Sequence, residues 1–158
     1  MANDNGKIPT LPTYRKKPVI SGLGATQTLT ADQSGSVVLF DRAAGIVVTL
    51  PVAQVGLEFD FIVTVSVTSN SYKVITGAAT ELLIGGYTNV DTDTSNAVAV
   101  FTANGSTHIA VTQAAASSNA TGGLIGSKLR FTCLSSTKWM VEGIVQGAGT
   151  VATAFATS

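Results

Sequence analysis

The chain has 158 residues, of which 11% are charged, 45% hydrophobic and only 6% aromatic. Nine basic and nine acidic residues cancel, which speaks against a domain that coats nucleic acid, and a single cysteine rules out an internal disulfide framework. Charge this sparse, against about 25% in an average soluble chain, excludes a disordered chain of the high-net-charge kind, and no apolar run is long enough for a transmembrane helix.

Residues 1–21 read as an extended arm. Pro9, Pro12 and Pro18 disfavour helix, and Gly6 loosens the chain further. The opening residues are polar and lack the apolar core of a secretory signal, so synthesis in a reducing cytoplasm is expected. The arm is basic, with Lys7, Arg15, Lys16 and Lys17 against Asp4, while the rest of the chain is net acidic. One reading is a solvated, frayed terminus. The other is a tether that docks on an acidic neighbour, either a second subunit or another protein. Ile8, Leu11 and Tyr14 supply apolar anchors that a solvating tail does not need. On that reading the partner-binding set is Lys7, Ile8, Leu11, Tyr14, Arg15, Lys16 and Lys17.

From residue 26 onward the pattern is that of strands. Val37–Phe40 and Ile46–Leu50 flank a five-residue loop that ends in Gly45, which predicts a hairpin. Pro51 closes the second strand. Residues 57–68 alternate, with Leu57, Phe59, Phe61, Val63, Val65 and Val67 on one face and Ile62 the one apolar residue on the other. Glu58 and Asp60 fall on the other face and are expected to be solvated. Tyr72–Thr76 follows a polar turn. Ala97–Thr102 and His108–Thr112 flank Asn104-Gly105, a second predicted hairpin. Lys128–Leu134 and Lys138–Val145 flank Ser135-Ser136-Thr137, a third. Residues 147–158 suit a final edge strand or a second arm. No segment shows helical periodicity. Eight or nine short strands without an internal boundary predict one all-β domain over 22–158. The expected architecture is an antiparallel β-sandwich or small β-barrel, jelly-roll or tulip-like.

Chemistry-bearing groups are few. The single histidine, His108, would need a nucleophile and an orienter that only spatial proximity could supply, and no nucleophile elbow is present. Cys133 shares a face with Leu129 and Phe131, which predicts a buried, inert thiol. One His and one Cys cannot build a zinc site. Asp91 and Asp93 alternate like the start of a calcium loop, but Asn96 and Thr102 stand where that loop needs Gly and Glu. Neither Gly85-Gly86 nor Gly122-Gly123 fits a phosphate-binding loop. No enzyme, cofactor, metal or small-molecule substrate is expected. A glycosidase would need Glu58 and Asp60 in a cleft.

One resemblance adds to this reading. Leu29-Thr30-Ala31-Asp32-Gln33-Ser34-Gly35-Ser36 is followed by Val38-Leu39-Phe40-Asp41-Arg42, then Gly45–Pro51, then Gly56-Leu57-Glu58-Phe59. Lys138-Trp139-Met140-Val141-Glu142-Gly143 closes the pattern. Together, over residues 26–68 and 128–145, these stretches resemble a module of tailed-bacteriophage virion structural proteins, most nearly the capsid decoration (cement) proteins. The resemblance implies a non-enzymatic protein on the outer surface of the virion capsid, made in the host cytoplasm. It would be a trimer bound to the major capsid protein, with no nucleic-acid or membrane partner. A tail- or fibre-associated receptor or carbohydrate-binding module is the alternative, with Tyr72, Tyr87 and the Asp91–Asp93 loop as its candidate contacts.

Overall fold

The computed structural model describes residues 16–93, 97–115 and 119–158. They form two β-sheets packed face to face, a β-sandwich. The strands are β1 (Val19–Ile20), β2 (Thr26–Thr28), β3 (Ser36–Phe40), β4 (Ile46–Thr49), β5 (Glu58–Val63), β6 (Ser71–Ile75), β7 (Leu82–Asp91), β8 (Val98–Thr102), β9 (Ala110–Ala114), β10 (Lys128–Ser135), β11 (Lys138–Gly147) and β12 (Phe155–Ala156). One sheet has the order β1-β3-β5-β10-β11-β7-β8, the other β12-β9-β6-β4-β2.

The first six strands alternate between the sheets. β1, β3 and β5 pair in parallel on one side, and β2, β4 and β6 in parallel on the other. The chain thus winds around the core before antiparallel strands complete both sheets. Parallel β7–β11 pairing adds to this, so half of the ladders are parallel and both sheets are mixed.

Two predicted hairpins are therefore arches that cross between sheets. β3 and β4 do not pair, and neither do β8 and β9. The local turn chemistry is as expected in each. Gly45 donates its N–H to the Arg42 carbonyl at 2.9 Å, and the Asn104 side chain accepts the N–H groups of Ser106 and Thr107 at 3.0 Å. What alternation leaves open is the sheet that the next strand joins, because either choice buries the same face. The β10–β11 hairpin does form, with a register shift between Cys133 and Ser135. β12 is the final edge strand, antiparallel to β9.

β5 ends at Val63, short of the expected Thr68. The N–H groups of Thr64 and Val65 both turn to the Phe40 carbonyl, which bends the chain over the end of β3. β7, a strand of ten residues, had no counterpart in the sequence reading. The inward face of β7 carries Asn89 and Asp91, both buried, and the strand contains the glycine pair Gly85-Gly86.

The core holds Trp139, Phe59, Phe61, Phe131, Phe40 and Tyr72, none more than 2% exposed. Phe40 of β3 stacks on Tyr72 of β6 across the two sheets, with centroids 4.5 Å apart. Glu81 is also buried. It accepts hydrogen bonds from the Ala53 N–H (2.7 Å) and the Trp139 indole N–H (3.1 Å).

Gly45 occupies the left-handed region at φ 82°, and a Cβ there would meet the Ser71 carbonyl oxygen at 2.5 Å. Gly35 has the same φ, but open space around it. Gly45→Ala should therefore cost about 2–4 kcal/mol, from backbone strain plus the clash, and Gly35→Ala only about 1–2. Urea-unfolding midpoints of the two variants check the difference.

Candidate functional site

The outer face of the seven-stranded sheet carries the one charge cluster among the described residues that joins distant parts of the chain. Asp60 of β5 stands opposite Arg130 of β10, and Arg130 stands opposite Glu142 of β11. The Arg130 Nε donates to Asp60 Oδ1 at 2.8 Å. From the other side the Lys17 Nζ donates to Asp60 Oδ2 at 2.7 Å and reaches Glu58 Oε1 at 3.4 Å. The Asp60 side chain is only 4% exposed, whereas Lys17 and Arg130 are 43% and 35% exposed. The expectation of a solvated Asp60 is thus overturned. Two cations, 43 and 70 residues away in sequence, cover it.

Burial alone would raise the pKa of Asp60. Hydrogen bonds from Arg130 and Lys17, reinforced by their charges, outweigh that and bring it from 3.8 down to about 2. The bond to Asp60 in turn raises the pKa of Lys17. An acid this strong stays ionised at neutral pH and cannot act as a general acid. The cluster is an anchor instead. Lys17 stands two residues before β1, whose parallel pairing with β3 is extended by a 2.8 Å bond from the Val37 N–H to the Pro18 carbonyl. The Gly22 N–H is held by Asp41 at 2.6 Å. Residues 17–22 are thus fastened to the sheet by charge, ladder and turn.

Of the arm residues proposed to bind a partner, Lys7, Ile8, Leu11, Tyr14 and Arg15 lie outside the described residues. Lys16 is exposed, and Lys17 is spent on its own chain's carboxylates. Beside the cluster, between β10 and β11, lies a shallow depression of about 630 Å³ lined by Lys128, Arg130, Glu142, Ile144 and Gln146.

The other candidates lie apart. His108 is half-buried, stacks on Phe155 with centroids 5.5 Å apart, and accepts the Asn104 N–H at Nδ1. Cys133 is buried as expected, and burial raises its thiol pKa. Tyr72 and Tyr87 are buried at 1% and 2% exposure, so neither can serve as the exposed aromatic of a carbohydrate site. Asp91 Oδ1 accepts the Asp93 N–H, and Asp93 Oδ2 accepts the Gly149 N–H. Among the described residues no three His, Cys, Asp or Glu side chains converge on a common point. Arg130 and Glu81 escaped the sequence reading. The signal for Arg130 was its register opposite Asp60, which becomes visible only once β5 and β10 are paired.

No family model matches the chain, and neither does any curated protein or solved structure.

A carboxylate with a depressed pKa stabilises the fold above its unfolded pKa, and that stability is lost as pH falls through the folded one. Between pH 4 and 2 the protein should lose about 2 kcal/mol through Asp60. Asp60→Asn should flatten that part of the profile and cost about 1–2 kcal/mol at pH 7, since both cations keep water. Thermal unfolding across an acid titration reads both effects.

Proposed function

We propose that this chain is a non-enzymatic structural component of a tailed-phage virion. It acts as a capsid decoration (cement) protein that binds the outer surface of the major capsid protein shell as a trimer. The observation that supports this best is the anchored root of the arm. A clamp must pass load from its reaching segment into a rigid body, and residues 17–22 are fastened to the seven-stranded sheet at several independent points. Residues 1–15 can reach about 50 Å at 3.3–3.6 Å per residue, enough to cross to a neighbouring shell subunit. They carry Lys7, Arg15, Ile8, Leu11 and Tyr14, a set able to dock on an acidic, partly apolar surface. Tethering through such a segment raises effective concentration and slows release. The β-sandwich supplies the rigid body, and the ionised, doubly paired Asp60 serves an anchor better than a catalyst.

Deleting residues 1–15 leaves Lys17, β1 and the core in place. The truncated protein should unfold within about 2 °C of the full chain, because the whole buried core and the Lys17–Asp60–Arg130 cluster are retained. Its occupancy on expanded, undecorated heads, measured by co-sedimentation and cryo-EM, should fall to background. Undiminished occupancy would overturn the role of the arm. Density on tails rather than heads would move the protein to the fibre or receptor-binding class.

A further inference from the structure

A free sheet edge invites pairing with another chain, and proteins usually shorten or charge such edges. The five-stranded sheet ends on β12, two residues long, and on β2, Thr26-Gln27-Thr28. The seven-stranded sheet ends on two-residue β1, with Lys17 beside it, and on β8. Among the edge strands of the described residues, β8 is the one that is neither short nor charged. It reads Val98-Ala99-Val100-Phe101-Thr102, with no charge and no proline. Val98 and Val100 are 64% and 71% exposed.

The backbone of β8 is equally open. The Asp91 N–H bonds the Ala97 carbonyl, and the Ala103 N–H bonds the Gly85 carbonyl. In this antiparallel ladder the odd-numbered residues of β8 therefore spend their backbone groups on β7. Val98, Val100 and Thr102 turn theirs outward. The residues whose side chains lie outermost thus also carry the unpaired N–H and C=O groups.

We propose that β8 pairs antiparallel with β8 of a second copy of this chain, across a two-fold axis at Val100. The register is self-complementary. Val100 meets its own counterpart and Val98 meets Thr102, so every outward donor finds an acceptor in about six hydrogen bonds. An uncharged edge meets itself without repulsion, and the valines bury each other's exposed faces. This contact falls below the roughly 1,200–2,000 Å² of a stable interface. It therefore forms where copies are concentrated, and it joins two free subunits or two trimers alike. The pairing stands whether or not the shell reading holds.

Val100→Cys tests it. Cys133 is 1% exposed, so the new thiol is the reactive one. Paired Val100 Cα atoms would lie about 5.5 Å apart, within disulfide range. Val98 would lie about 14 Å from its own copy, beyond that range. Under mild oxidation over a concentration series, Val100→Cys should give disulfide-linked dimer at about tenfold the yield of Val98→Cys. A mixture of Val98→Cys and Thr102→Cys chains should cross-link as Val100→Cys does. Equal yields from Val98→Cys and Val100→Cys would mean random collision and overturn the proposal. So would a freely reactive Val100→Cys thiol that never links, which would leave the edge to a different partner. A thiol blocked in the monomer would assign the edge to residues 1–15 and overturn it as well.

Discussion

The stack of Phe40 on Tyr72 ties the sandwich together where the chain passes from one sheet to the other. Phe40 ends β3 and Tyr72 is the second residue of β6, so the pair joins opposite sheets at 4.5 Å. The Tyr72 hydroxyl donates to the Val65 carbonyl at 2.7 Å, with the Arg42 carbonyl at 2.9 Å. Arg42 lies in the arch between β3 and β4, and Val65 in the segment between β5 and β6. One side chain therefore links both sheets to both crossings. A stacked pair contributes about 0.5–1.5 kcal/mol beyond its buried area, and the buried hydroxyl adds direction to it. With the crossings held there, β4 lies parallel beside β6, and Gly45 closes onto Ser71.

This explains which parts of the fold were legible in the sequence. Alternation in 57–63, 37–40 and 128–134 reports which face is buried, and the burial follows it closely. Sheet membership depends on contacts such as Phe40 with Tyr72, far apart in the chain, so the arches looked like hairpins. β7 stayed hidden for another reason. Its inward positions include Asn89 and Asp91, both buried, and the partner of the Asn89 amide lies 31 residues away in sequence. Asn89 donates to the Ala120 carbonyl at 2.9 Å, and Asp91 accepts the Asp93 N–H. A polar residue that finds its partner through tertiary structure reads locally as surface.

Asp60 was misplaced by the same logic. A carboxylate at an outward strand position is ordinarily solvated, and neither Lys17 nor Arg130 is near it in sequence. Once β1, β3, β5 and β10 are ordered side by side, both cations converge on it. Such a triad is weak evidence for stability, since desolvation takes back much of the attraction. What it contributes here is position. It fixes Lys17 against the outer face of the seven-stranded sheet, at the root of β1.

The two edges of the seven-stranded sheet consequently differ in kind. At β1 the edge is two residues long, flanked by Lys17 and locked to β3, so little backbone is left to pair. At β8 it is longer, neutral and rich in valine, with its backbone groups alternately spent and open. Seven strands at about 4.8 Å spacing set these edges roughly 29 Å apart. On the two proposals above, the body meets neighbours at two separate edges, through residues 1–15 at one and through β8 at the other. Charge and chain length govern the first, and main-chain hydrogen bonding with apolar burial governs the second. Salt weakens contacts of the first kind much more than those of the second, so ionic strength separates them in any assembly that uses both.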